Sequence, residues 1–185
     1  MNSQRSDFAR NERAIIEAAA RVLSDAPTAG MGEIAAAAGL GRATLYRHFA
    51  TREALIDGLR GEAFDAVAAA IARNDAEPAG ARVEALVADL IEVGERYQIV
   101  FASPPGEQAR EQAQRRFERP LLALLTRAQG DGELAPDVPP MWLLVALEAA
   151  LGGALRARAE GRLDRAEAQR FALRALLGGF GAPAA

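Results

Sequence analysis

The stretch Met31-Gly32-Glu33-Ile34-Ala35-Ala36-Ala37-Ala38-Gly39-Leu40-Gly41-Arg42-Ala43-Thr44-Leu45-Tyr46-Arg47-His48-Phe49-Ala50-Thr51-Arg52-Glu53-Ala54-Leu55 decides how the chain is read. It spells two short helices joined by a glycine turn. Ile34, Leu40, Leu45 and Phe49 supply a small apolar core, and Ala35 and Ala38 are small where two helices must cross closely. Gly39 suits the positive φ that ends the first helix. This is helix-turn-helix patterning, in which the second helix enters the DNA major groove.

Outside this stretch the sequence remains helical in character. Ala dominates, with Leu, Glu and Arg close behind, and these are strong helix formers. No sustained alternation is present, and no Asn-Gly or Asp-Gly pair sits between β-branched runs. Apolar spacing predicts an all-α fold of about nine helices. One of them is expected to run from Val83 to Phe101, and the segment Glu107–Ala128 is expected to be split or kinked near Pro120, with a helix starting near Arg119. The punctuation lies at residues 26–30, 39–41, 74–80, 103–106 and 130–140, and the end from Gly178 onward is expected to fray. Two domains follow: a head over residues 1–50 and a larger helical domain over residues 51–185.

The pairs Ile34-Ala35, Ala38-Gly39-Leu40, Thr44-Leu45-Tyr46 and His48-Phe49, with the basic Arg52, resemble the tetracycline-repressor (TetR) family of bacterial transcriptional regulators. The resemblance covers the first third of the chain. It implies that Arg42, Ala43 and Thr44 open the recognition helix and face base edges, that Tyr46 and His48 lean on phosphates, and that Arg52 meets a phosphate from the start of the fourth helix. Arg47, between them, faces solvent or the DNA backbone. The chemistry agrees: helix N-termini and Arg attract phosphate, Arg reads guanine bidentately, and a Thr methyl touches thymine. The family usually carries Thr or Ser where this chain has Gly30. Gly caps adequately but offers no hydroxyl, so that phosphate contact is missing or passes to a backbone amide.

Charge bears on this reading. The chain has 22 basic residues, all Arg, against 25 acidic ones, for a net −3. Residues 1–60 carry +1 and the remainder −4. Bulk charge therefore does not hold the head on DNA; a few placed groups and the pairing of two heads must. The absence of Cys and the single His exclude disulfides, thiolate zinc sites and polyhistidine metal sites, and no cofactor is expected. No catalytic constellation is present, so an enzyme is not expected. Met1–Arg13 lacks the apolar core of a signal peptide. The apolar run Met141–Leu155 is interrupted by Glu148 and falls short of the roughly 20 residues that cross a bilayer. A cytoplasmic protein without a membrane partner is expected.

The larger domain should supply a homodimer interface and a small-molecule effector site. The spacing of Leu143, Leu147, Leu151 and Leu155, and of Leu173, Leu176, Leu177 and Phe180, predicts two interface helices, which with their copies make a four-helix contact. The resemblance implies a cavity for an effector. Its candidate lining is Phe64, Leu90, Tyr97, Phe101, Phe117, Leu121, Met141, Trp142 and Leu144, with Glu148 as a polar group for a cationic ligand or an Arg across the interface. The function expected is a homodimeric repressor of a palindromic, double-stranded DNA operator, released by an effector. The alternative is a helical ligand-binding or interaction protein that has lost DNA binding.

Overall fold

The computed structural model describes residues 2–76, 78, 80–103 and 106–180. Every regular element among them is helical: α1 (Asn2–Asp25), α2 (Met31–Ala37), α3 (Arg42–His48), α4 (Arg52–Asp75), α5 (Arg82–Arg96), α6 (Gln98–Ala102), α7 (Glu107–Ala113), a π-helical turn (Gln114–Glu118), α8 (Arg119–Gly130), α9 (Pro140–Ala159) and α10 (Arg165–Phe180). The all-α class holds. Helices α7 and α8 run on from one another through the π turn, so the split or kink expected near Pro120 is a change of winding, and α8 starts at Arg119 as the sequence predicts. Pro120 sits in the first turn of α8, where its missing N–H costs nothing. Helix α10 continues through Gly178 to Phe180, and the rest of the end expected to fray, residues 181–185, lies outside the described residues.

The chain divides into two compact units, Met1–Ala63 with Arg96–Pro104, and Phe64–Glu95 with Pro105–Ala185. The boundary expected after residue 50 falls instead inside α4. The reason is packing: Leu55, Leu59 and Ala63 are fully buried and belong to the first unit. Gly58 lets this part of α4 lie close to its neighbours, since a Cβ there would stand 2.9 Å from both Ile16 Cδ1 and Phe49 Cε1.

The helix expected through residues 83–101 is also interrupted. At Tyr97 the backbone leaves helical geometry (φ −116°, ψ 28°) and restarts as α6. Side chains of the first unit hold α6. Gln98 Nε2 donates to the Ser24 carbonyl at 2.9 Å, and Arg60 Nη1 donates to the Val100 carbonyl at 3.3 Å. Arg60 is buried and pairs with Asp57 at 3.5 Å.

The second unit is built on one apolar core that joins Val67 and Ile71 of α4, Leu86, Leu90 and Ile91 of α5, Leu121, Leu124 and Leu125 of α8, Leu143, Leu144 and Leu147 of α9, and Leu176 of α10. Each fully buried Leu in such a core contributes about 1.5–3 kcal/mol. A Cβ at Gly94 would overlap the Leu155 side chain, so α5 and α9 approach closely there. The long connection between α8 and α9 is part of the fold. It buries Leu134, and Gln129 Nε2 donates to the Ala135 and Val138 carbonyls at 2.6 and 2.8 Å. Charged groups close the ends of this unit. Glu95 bridges Arg158 and Arg165, both at 2.5 Å, and Arg82 joins α5 to Asp131 and Glu133.

One expectation about α9 changes. The helix has 20 residues and a mean hydropathy of 1.3 in its most apolar window, so by length and composition it is long enough to cross a membrane. The sequence-based span missed this because the helix continues at both ends beyond Met141–Leu155.

Candidate nucleic-acid interface

The first unit forms the helix-turn-helix that the sequence predicts. Gly39 takes φ +68°, and the Gly39 and Leu40 amides return to the Ala36 and Ala35 carbonyls at 3.0 and 2.9 Å, which closes α2. Extended Gly41 (φ −71°, ψ 149°) then caps α3. On α3, Leu45 is fully buried, while Arg42, Ala43, Tyr46 and Arg47 are exposed and Thr44 is half-buried. One side of the short helix is held by the core and the other presents two guanidiniums, a methyl, a hydroxyl and a phenol. Arg42 lies along Gly32: a Cβ there would stand 3.3 Å from its Nε. This approach of Arg42 to α2 has no signature of its own in the sequence.

Two of the expected phosphate groups are engaged within the chain. The His48 ring stacks on Phe8 of α1, with centroids 3.9 Å apart and planes at 31°. Both of its nitrogens are shielded and have no hydrogen-bond partner. Arg52 gives two of its five N–H donors to backbone: Nη1 donates to the Ala29 carbonyl and Nη2 to the Pro27 carbonyl, the latter at 2.5 Å. At the start of α2 the Gly30 amide donates to Glu33 Oε2 at 2.7 Å. The amide that was to replace a missing hydroxyl is therefore capped by a carboxylate of its own helix. Sequence reasoning passed over Phe8 and Glu33. Glu33 was readable, as an acid three residues beyond a helix cap, whereas Phe8 and His48 meet only through folding.

The groups expected to line an effector site separate. Phe64, Leu90, Phe117, Leu121, Trp142, Leu144 and Glu148 belong to the second unit, and Tyr97 and Phe101 to the first. Within the second unit Phe64 and Phe117 meet edge to face at 5.2 Å. Leu90, Leu121 and Leu144 are buried in the core against which Phe117 packs. Trp142 and Met141 are 55% and 57% exposed, and Phe101 is 45% exposed, so none of these three is enclosed by its own chain. Glu148 is exposed in area, yet the neighbouring side chains strip part of its hydration. That burial raises its carboxyl pKa, and the like charge of Glu118 raises it further. Tyr97 is buried, which raises its pKa, with Arg96 acting the other way and Glu62 adding to the rise.

The expected interface leucines are corrected by their burial. Leu147 and Leu176 are each 1% exposed and Leu143 is fully buried, so they form the core of their own unit and present no surface to a partner. Leu151, Leu155, Leu173 and Leu177 are half-buried against that core. The Phe180 side chain lies outside the described residues. Exposed instead are Met141, Trp142 and Val145 of α9 and Phe171 of α10. Helix α9 is apolar nearly all round, so the spacing of its leucines does not choose between core and interface.

Comparison with known proteins places these features among described ones. A family model for bacterial regulatory proteins of the tetR family matches residues 15–59. The chain is 34% identical over 138 residues to the HTH-type transcriptional repressor LfrR of Mycolicibacterium smegmatis, which covers 72% of this chain and 71% of that one. Its fold is similar to the crystal structure of the TetR-like transcriptional regulator LfrR from Mycobacterium smegmatis in complex with proflavine, with a TM-score of 0.76 and 28% identity over 92% of this chain and 96% of that one. A second LfrR crystal structure gives a TM-score of 0.59 at 28% identity, over 90% of this chain and 97% of that one.

Proposed function

The chain belongs to the TetR family of bacterial regulatory proteins, and from that premise we propose that it is a homodimeric repressor of a palindromic operator, released by a planar aromatic cation. It is a DNA-binding transcriptional regulator and not an enzyme. The observation that carries the operator reading is the division of α3, with Leu45 anchored in the core and Arg42, Ala43, Tyr46 and Arg47 free to meet a groove. A head of net charge +1 binds weakly alone. Two heads on half-sites roughly 34–36 Å apart supply the missing affinity. The same reading puts the protein in the cytoplasm, with its operator.

The dimer reading is supported by Met141, Trp142, Val145 and Phe171, each more than 40% exposed on the paired helices α9 and α10. Large apolar groups left exposed on paired helices suit a surface that a partner covers. Gly152 and Gly153 lie farther along α9, with no atom within 4 Å of where a Cβ would stand. A helix of the partner approaches closely there.

The effector reading is supported by the second unit. The half-buried Phe117 ring, backed by the buried Phe64, offers an aromatic surface, and Glu148 and Glu118 are two mutually repelling carboxylates, one of them partly desolvated. A flat cation stacked on Phe117 and set against the acids would offset their repulsion and favour the charged form of Glu148. The relative LfrR was crystallised in complex with proflavine, a ligand of that chemistry. Release then follows from the differential affinity of the effector for the DNA-binding and DNA-free arrangements.

The test is selection of duplexes from a randomised pool by the purified protein. An enriched palindrome, bound by a species of twice the chain mass and released by proflavine, is the expected outcome. A pool that stays random overturns the operator reading, and enrichment without proflavine release overturns the effector class.

A further inference from the structure

We propose that Arg52 is a positioning residue that closes the helix-turn-helix into a ring, rather than a ligand of phosphate. Arg52 is the first residue of α4, directly beyond the recognition helix and its connection. Its guanidinium binds the Ala29 and Pro27 carbonyls, 23 and 25 residues earlier, in the segment that leads into α2. Everything that reads DNA lies between these points: the α2 cap, the Gly39 turn and all of α3. One planar group therefore ties the entrance of the motif to its exit.

The acceptors explain why arginine serves. Two carbonyls separated by one intervening residue need two donors held in a fixed fork, and guanidinium presents its Nη1 and Nη2 donors in that geometry. Lysine keeps the charge but concentrates it at one point. Ala29 is buried, and Arg52 is half-buried, so the contact is partly shielded from water. Charge-assisted hydrogen bonds in that setting are stronger than neutral ones. The segment also ends at Gly30, whose amide is turned to Glu33. The entrance to α2 is thus fixed from both sides, by Arg52 on the carbonyls of Pro27 and Ala29 and by Glu33 on the amide of Gly30.

The consequence is for specificity. If the ring opens, α3 loses its fixed placement against the rest of the head, and base contacts weaken more than contacts to phosphate, which tolerate displacement. This proposal rests on the operator reading above.

The experiment compares wild type, Arg52→Lys and Arg52→Gln on two probes: the duplex that wild type enriches from a random pool, and a scrambled duplex of equal length. Both variants should lower the ratio of enriched to scrambled affinity by about tenfold, the factor carried by one charge-assisted hydrogen bond. A merely destabilised head would lower both affinities together and leave the ratio unchanged. The salt slope of Arg52→Gln should match wild type, whereas loss of a phosphate ligand would reduce it by about one. Amide hydrogen exchange of the DNA-free protein should be faster in α2 and α3 of both variants.

A wild-type specificity ratio in Arg52→Lys, a reduced salt slope in Arg52→Gln, or unchanged exchange overturns the ring. If wild type enriches no duplex, the operator reading fails and the specificity role falls with it. Exchange still reports whether the guanidinium holds the two ends together.

Discussion

Replacing Arg82 by Met tests the ion-pair node that anchors α5. The Arg82 side chain is 8% exposed, and its Nη1 reaches Asp131 at 2.6 Å and Glu133 at 3.0 Å. The hydrogen bond to Asp131 raises the guanidinium pKa against the lowering effect of burial, with the charge of Glu133 adding to the rise, so the node stays charged. Its two acids differ in what they lose. Asp131 is 43% exposed, rehydrates when the cation is removed, and accounts for about 0–1 kcal/mol. The Glu133 side chain is 6% exposed and also accepts the Val83 amide at 3.3 Å. Stranding a carboxylate in such a site costs about 3–5 kcal/mol. Met preserves most of the apolar stem of Arg, so lost packing adds little. For a chain of 185 residues the sum lowers Tm by about 10 °C.

Thermal melts followed by far-UV circular dichroism measure this directly. The double variant Arg82→Met/Glu133→Leu removes the stranded charge along with its partner and should recover at least half of the loss. Glu133→Leu on its own completes the cycle, and should cost more alone than in the Arg82→Met background. An Arg82→Met melt within about 1 °C of wild type, or a double variant that melts no higher than the single one, refutes the reasoning.

The remaining predictions concern the head, the interface and the effector site. Arg42→Ala and Thr44→Ala should each reduce affinity for the enriched duplex by about 1–3 kcal/mol and relax base preference, as read by fluorescence anisotropy on single-base variants; unchanged affinity in both would remove α3 from the groove. Trp142→Glu should convert the dimer to monomer in sedimentation velocity, with little change in helix content, because the ring is 55% exposed in the single chain. Glu148 has a sign that can be checked. Its folded pKa lies above the ordinary 4.5, so the folded chain holds the proton more tightly than the unfolded one. Stability is therefore lost as pH rises from below 4.5 through the raised value. Glu148→Gln should melt above wild type at neutral pH, converge with it in acid, and bind proflavine more weakly; a constant difference in Tm across pH would deny the shift.

Legibility in the sequence varied with the kind of signal. Helix α3 was readable because Leu45 and Phe49 alternate correctly with Arg42, Tyr46 and Arg47, and Gly39 marks the turn by needing φ +68°. The stop at Tyr97 was not readable, since no Gly or Pro stands there and the break depends on Gln98 and Arg60 reaching partners on other helices. Arg52 carried a basic signal that suits phosphate. Its acceptors within the chain are the Ala29 and Pro27 carbonyls, and backbone carbonyls look alike at every position. On α9, Leu147 and Trp142 are both large and apolar, and only the packed core separates the 1% exposed residue from the 55% exposed one.

The π turn at Gln114–Glu118 sets a phase. An α-helix advances about 100° per residue, and a π turn takes up extra chain without ending the helix. The periodicities of α7 and α8 are each regular, yet they do not add up across residues 114–118. Deleting one of these five residues would keep the phase of the second half, whereas rewinding them as α-helix with none removed would rotate it by about 100°, one residue's advance. Leu121, Leu124 and Leu125 would then turn out of the core, although none of them had been altered. Phase, and not side-chain chemistry, is what the winding of these five residues holds constant. An alignment between this chain and a relative lacking the turn should place its gap there, where a single missing residue separates two otherwise matching helical faces.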